Sequence, residues 1–259
     1  MPTTGTDAIC GYEAVSALFA RRPADVLRLL YGEALRNRVG PFCAALARAR
    51  RPYRVLPPDE LARAAGTPRH GGVVAVARAR PVPVLDPARP PRVPLLLVLD
   101  GVGNPHNLGA IARSAAFFGV RALLLRGGAG QAMPSGAAYR TAEGGLEHLD
   151  LHRAGDLAAC LRALEPHYRT VAAAPADGAV PLSSLPRDRP VALVLGNEER
   201  GVSREVLEAC GSRVRIPGSG RVQSLNVAQA AAVLLHALSL RRHCRASKSD
   251  PSTSTFAPT

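Results

Sequence analysis

Three short stretches hold most of the side chains that could do chemistry. The first, Asp100-Gly-Val-Gly-Asn-Pro-His-Asn-Leu-Gly-Ala-Ile-Ala-Arg113, gathers Asn104, His106 and Asn107, then Arg113 within an apolar helical pattern. The second, Val194-Leu-Gly-Asn-Glu-Glu-Arg-Gly-Val202, ends an apolar run in Gly196 and follows it with Glu198, Glu199 and Gly201. The third, Ile216-Pro-Gly-Ser-Gly-Arg-Val-Gln-Ser-Leu-Asn-Val-Ala228, sets Ser224 and Asn226 on either side of Leu225, ahead of a long apolar segment. Glycines admit close backbone approach by a ligand. Amides, a carboxylate and a guanidinium offer oriented hydrogen bonds and charge. Taken singly, each stretch also has a plain reading. Asn107, or Ser224 and Asn226, could cap a helix; Glu198 and Glu199 could rim an ordinary turn; Arg113 could sit on a solvated face. Gly101 and Gly103 begin a dinucleotide fingerprint, but Pro105 interrupts the turn and His106 stands where its last glycine belongs, which excludes that loop.

These stretches need a scaffold. Continuous apolar runs predict buried strands at 95–99, 122–125, 170–174 and 191–195, with a further strand at 213–216. Helices are expected at 108–118, 156–164, 204–209 and 227–240. Strands alternating with helices define a parallel α/β sheet covered on both faces. Each chemical stretch then leaves the C-terminal end of a strand, the edge where open α/β sheets bind ligands. Before it, helices at 12–20, 39–50 and 58–65 alternate with strands at 26–31, 53–56 and 72–77, forming a small α/β sandwich over residues 1–80. Residues 80–94 contain six prolines, so 81–93 read as a semi-rigid linker. The larger α/β unit is expected over 94–243, with a disordered Ser/Thr/Pro-rich tail over 244–259.

Composition narrows the function classes. The chain of 259 residues carries a net charge of +13, and Lys248 is its one lysine. Residues 1–80 hold 13 arginines against 6 acidic residues, whereas residues 94–240 hold 14 against 12. A basic module thus precedes a nearly neutral one, as suits docking on a polyanion before chemistry elsewhere. The aromatic share is 4% with no tryptophan, which argues against a base-stacking platform. No apolar run reaches the 18 residues of a membrane span, and residues 1–7 lack the pattern of a secretory leader. Five scattered cysteines without a CxxC pair argue against disulfide frameworks and zinc ribbons and for the cytoplasm.

In order and spacing, the three stretches resemble the three motifs of the SpoU (TrmH-like) RNA 2′-O-ribose methyltransferases of the SPOUT class. Asn-Pro-His-Asn-Leu-Gly with Arg113, Leu-Gly-Asn-Glu-Glu-Arg-Gly, and Ile-Pro followed by Ser-Leu-Asn-Val-Ala carry the resemblance over residues 94–240. Arg140-Thr-Ala-Glu-Gly-Gly-Leu-Glu-His148 is similar to a subgroup of tRNA/rRNA methyltransferases. Arg69-His-Gly-Gly-Val-Val-Ala75 is similar to the segment closing that family's ribosomal-protein-like substrate-binding domain.

The resemblance implies a trefoil-knotted domain that binds S-adenosylmethionine, methylates tRNA or rRNA and works as a homodimer through the first-motif and final helices. It implies that Leu195, Gly196, Glu198, Ile216, Ser224, Leu225 and Asn226 line the cofactor site. It gives the catalytic roles to Arg113, Asn107, Glu198, Ser224 and Asn226. Arg113 activates or aligns the ribose hydroxyl, Asn107 holds Arg113 or the ribose, and Glu198 and Asn226 orient cofactor and substrate. His106 is an alternative base. Two positions depart from the family pattern, Gly218 and Gln229. The rival reading is an RNA-binding or ribosome-assembly protein that keeps the fold without turnover.

Overall fold

A computed structural model of the chain describes residues 5–175, 178–186 and 188–246. The N-terminal part runs β1 (Thr6–Cys10), α1 (Tyr12–Arg21), β2 (Val26–Tyr31), α2 (Arg36–Arg48), β3 (Tyr53–Val55), α3 (Pro58–Ala65) and β4 (Val73–Arg78). Its sheet has the order β1-β4-β2-β3. β4 is antiparallel to both neighbours, and β3 lies parallel to β2. β1 is an addition to the sequence reading; it is short, and its pairing with β4 from Thr6–Arg78 to Cys10–Val74 makes it a strand.

The C-terminal part runs β5 (Leu95–Asp100), α4 (Pro105–Phe117), β6 (Ala122–Arg126), α5 (Gly136–Ala142), β7 (Asp150–Ala154), α6 (Leu157–Leu164), β8 (Arg169–Ala173), β9 (Val180–Pro181), β10 (Val191–Gly196), α7 (Arg204–Ala209), β11 (Ser212–Arg215) and α8 (Val227–Ala246). All seven strands are parallel, in the order β7-β6-β5-β10-β8-β11-β9. Helix α8 extends three residues into the stretch expected as tail; residues 247–259 lie outside the described residues.

Alternation along the central strands explains why their runs are apolar throughout. Leu97, Leu99, Leu193 and Leu195 pack on one face with Leu108 and Ile111 of α4 and Leu234 and Leu235 of α8. Leu96, Val98, Ala192 and Val194 pack on the other with Leu157, Leu161 and Val206 of α6 and α7. The first cluster continues without a break into Ile9, Val15 and Leu18 of the N-terminal part.

A charged seam reinforces that apolar contact. Glu147, 2% exposed, takes Arg22 Nε at 2.9 Å and Arg22 Nη2 at 2.9 Å across the boundary. Arg22 also donates to the Tyr139 hydroxyl at 3.3 Å. Arg80 lies 3.9 Å from the same carboxylate and donates to the carbonyls of Leu146 and Leu149. Burial opposes the Arg22 charge, yet the Glu147 hydrogen bonds and charge outweigh it and raise the Arg22 pKa. The stretch from Arg140 to His148, read in the sequence as a subgroup signature, is thus the surface on which the basic module sits. Gly144 (φ 91°) allows the approach, since a Cβ there would lie 2.9 Å from the Ala17 side chain, and Gly145 seats the same turn on α4, where a Cβ would lie 2.7 Å from Arg113 Cα.

The proline-rich linker is docked rather than free. Val84 bridges Arg153 at the outer edge of β7, Leu85 and Val93 are buried, and the Tyr168 hydroxyl donates to the Pro91 carbonyl.

Candidate active site at the strand ends

β5 and β10 are neighbours in register, Leu99 beside Leu195 and Asp100 beside Gly196. The first two loops therefore leave the sheet side by side. Loop one is held by Gln131, 8% exposed, whose Oε1 accepts from Gly101 N at 3.0 Å and whose Nε2 donates to the Val102 carbonyl at 3.1 Å. Loop two closes on itself through paired backbone hydrogen bonds between Asn197 and Gly201, both 2.9 Å. Gly201 takes φ 70°, and a Cβ at Gly196 would lie 2.1 Å from the Gly201 backbone, so both positions require glycine. Asn197 Oδ1 accepts from the backbone of Glu199 and Arg200, while its Nδ2 donates to the Gly101 carbonyl at 2.8 Å. Asn197 thus fastens the two loops together, and Gln131 holds loop one from the segment after β6. Neither stood among the candidate residues; an asparagine opening a Gly-bounded turn was the available signal for the first.

The central feature links all three loops. Asn107 Nδ2 donates to Glu198 Oε1 at 2.6 Å, and Asn226 Nδ2 donates to Asn107 Oδ1 at 3.3 Å. Asn226 also caps α8, its Oδ1 accepting from Ala228 N at 2.9 Å. The second oxygen of Glu198 takes Asn197 Nδ2 at 3.2 Å. One carboxylate and three amides meet beyond the ends of β5 and β10, with Asn107 lying 91 residues from Glu198 and 119 from Asn226 in the chain. Around them, residues 217–226 are exposed. Leu225 shows 45% of its surface and Ile216 is half-buried. Leu195 points into the core at 1% exposure, which leaves its backbone facing the loops. Ser224 is exposed.

Two expectations are corrected. Helix α4 begins at Pro105, and its cap is Asn104, whose Oδ1 accepts from His106 N at 2.8 Å. Asn107 therefore lies inside the first turn, free to reach Glu198. Nor does Asn107 hold the Arg113 of its own chain. Six residues along a helix place them about 120° apart around the axis, and Arg113 Nη2 pairs with Glu143 Oε2 at 2.8 Å, both side chains about half exposed. Helix α4 thus shows Asn107 to the strand ends and Arg113 to α5.

On the opposite side of the β5 end, the buried Asp100 takes Arg126 Nη1 at 3.0 Å and Ser203 N at 2.7 Å. Burial, then the Asp100 charge, pushes the Cys210 thiol up to about 12, so it is inert.

Residues 94–236 match the SpoU rRNA methylase family, and residues 8–83 match the RNA 2′-O ribose methyltransferase substrate-binding family. The chain belongs to the SpoU methylase family. It is 32% identical over 229 residues to the uncharacterized tRNA/rRNA methyltransferase YfiF of Escherichia coli O157:H7, covering 88% of this chain and 66% of that one. It is 32% identical over 242 residues to the 23S rRNA (guanosine-2′-O-)-methyltransferase RlmB of Nitrosomonas europaea, covering 90% of each. Among solved structures it resembles the SpoU methyltransferase AviRb of Streptomyces viridochromogenes in complex with AdoMet, with a TM-score of 0.74, 25% identity, and 92% and 91% of the two chains covered. Among the described residues no helix is long and apolar enough to cross a membrane.

Proposed function

We propose that this protein transfers a methyl group from S-adenosylmethionine to a ribose 2′-hydroxyl of tRNA or rRNA. The observation that carries the reading is the Glu198–Asn107–Asn226 chain, which joins all three family motifs at one strand edge. The names of its relatives support the reaction class. The residues present fit the cofactor. Ile216 and Leu225 offer apolar cover for a purine, the backbone of Leu195 and Gly196 can approach closely, and Glu198 sets a negative charge near a cationic sulfonium. Bound there, the cofactor supplies an electrophilic methyl group whose departure leaves a neutral thioether. Ser224 flanks the exposed side of the same pocket.

Arg113 supplies the substrate side. Its guanidinium stays protonated at any working pH, so it grips a phosphate and aligns the ribose rather than taking a proton. The reading includes a homodimer through α4 and α8, where Phe117 is 82% and Val233 45% exposed. In such a pair, Arg113 of one copy serves the Glu198–Asn107–Asn226 cluster of the other. The reading also includes the trefoil-knotted path over 94–243 and a cytoplasmic location. The basic module binds RNA through arginines that stand exposed, among them Arg48, Arg54, Arg63 and Arg69.

The test is calorimetric titration with S-adenosylmethionine, followed by transfer of tritiated methyl to total RNA and mapping of the label. Label on a ribose oxygen is expected, and Arg113→Ala lowers transfer at least about 100-fold with cofactor affinity unchanged. Cofactor binding without label in any RNA would overturn the reading in favour of an RNA-binding protein without turnover.

A further inference from the structure

Methylating a hydroxyl releases a proton, and neither Arg113 nor Glu198 is arranged to take it. Arginine remains charged, and both oxygens of Glu198 already accept from amides, at 2.6 Å and 3.2 Å. One further residue of the first motif has the required chemistry. His106 is exposed at the start of α4, next to Asn107. Its Nδ1 lies 3.0 Å from Thr141 Oγ1 on α5. The Thr141 hydroxyl donates its single hydrogen to the Ala137 carbonyl at 3.1 Å. The threonine oxygen is then an acceptor toward the ring, so Nδ1 carries the hydrogen and Nε2 carries the lone pair. A positioned imidazole with a basic Nε2 is what a general base requires.

Position on the helix adds a second argument. His106 and Arg113 are seven residues apart, two turns of α4, on one stripe with about 10 Å between them along the axis. His106 is held by Thr141 of α5, and Arg113 by Glu143 just past its end at 2.8 Å. Gly109 lies between them, and a Cβ there would fall 2.5 Å from the Ala138 carbonyl. That contact fixes α4 against α5 and so fixes the stripe.

We propose that His106 Nε2 is the proton acceptor for the ribose 2′-hydroxyl, with Thr141 as the residue that positions it. This rests on the methyl-transfer reading above. In the step, a lone pair of O2′ forms the new O–C bond while the methyl carbon's bond to sulfur breaks and its electron pair stays on sulfur. The O2′–H bond breaks toward Nε2, leaving an imidazolium that returns its proton to water. Among the described residues, the titratable and charged side chains on the elements packed against α4 are Tyr139 and Arg140 of α5, Glu143 just past its end, Glu147 and His148 of the turn Gly145–His148, and His236 of α8, with Arg113 on α4 itself and Glu198 across the loop.

The experiment is single-turnover methyl transfer from pH 5.5 to 9 on the RNA mapped for the wild type, with His106→Ala, His106→Gln and Thr141→Val. Cofactor and RNA affinities measured alongside report that each variant is folded. The wild-type rate is expected to climb with pH to a plateau, as a general base requires. His106→Ala and His106→Gln lose that limb and fall about 100-fold or more, and added imidazole restores His106→Ala. Thr141→Val falls about 3- to 10-fold, with both affinities unchanged. A His106→Ala enzyme that keeps the wild-type limb within about 3-fold of its rate would overturn the assignment while leaving the methyl-transfer reading in place. A wild type that labels no RNA would overturn both.

Discussion

Two polar clusters in this molecule are built from similar parts and behave in opposite ways. At the seam, Glu147 is buried and takes Arg22 through two nitrogens, with Tyr139 and Arg80 alongside. At the strand ends, Glu198 is met by uncharged amides from three loops, beside a segment that is exposed throughout. The first cluster is charged, closed and satisfied; it holds two bodies in one orientation. The second sets one carboxylate among uncharged amides and opens to solvent, so its donors can be exchanged for those of a ligand without uncovering a buried charge. The difference separates a joint from a site, although both centre on a glutamate.

The sharpest way to break this contrast is to truncate each carboxylate's partner set and compare stability with binding. Glu147→Ala leaves Arg22 buried without its counter-charge, and unfolding in urea is expected to show a loss of about 3–5 kcal/mol. A loss below about 1 kcal/mol would mean that the seam is hydrated and the two parts hinge. Asn107→Ala removes the link between Glu198 and Asn226, yet the expected stability change is only about 1 kcal/mol, while affinity for S-adenosylmethionine falls about tenfold. A large stability loss with unchanged affinity would make the strand-end cluster another joint. The smallest effect comes from His152 on β7, beside the linker. Burial lowers its pKa, with Asp150 opposing and Arg80 adding to the shift. The unfolded chain therefore takes the proton first, and this contribution to stability is present above about pH 6.5 and is lost as pH falls through the lowered folded value. Thermal scans from pH 7.5 to 5.5 should show a shallower acid decline for His152→Gln than for the wild type.

Much of this was legible before any coordinates. β5, β6 and β10 announce themselves as apolar runs because both of their faces are covered, so no polar residue interrupts them. The three loops are legible because glycines, amides and carboxylates cluster just past those runs. Less legible were the elements whose identity comes from neighbours. β7, with the sequence Asp-Leu-His-Arg-Ala, mixes polar with apolar residues and becomes a strand by pairing with β6. α5 is seven residues long and begins with glycine, too short for periodicity to speak. The role of the stretch from Arg140 to His148 was hidden for a different reason. Glu147 meets Arg22 from 125 residues away, and no local pattern encodes that meeting. The same holds for Arg113. Its place in an apolar helical stretch leaves its face open, and the partner that fixes it within the chain, Glu143, lies just past the end of α5.

The wiring of the strand-end cluster also sets a schedule. Asn107 waits 91 residues for Glu198 and 119 for Asn226. Contacts so distant along the chain form late, after the loop-closure entropy of everything between them has been met. As the polypeptide leaves the ribosome, the basic module and the first strands can already be folded while the cluster still lacks its final asparagine. A chain broken off before α8 would keep its arginine-rich face and have no completed pocket. Affinity for RNA is therefore acquired early in synthesis, and the capacity to modify it only at the end.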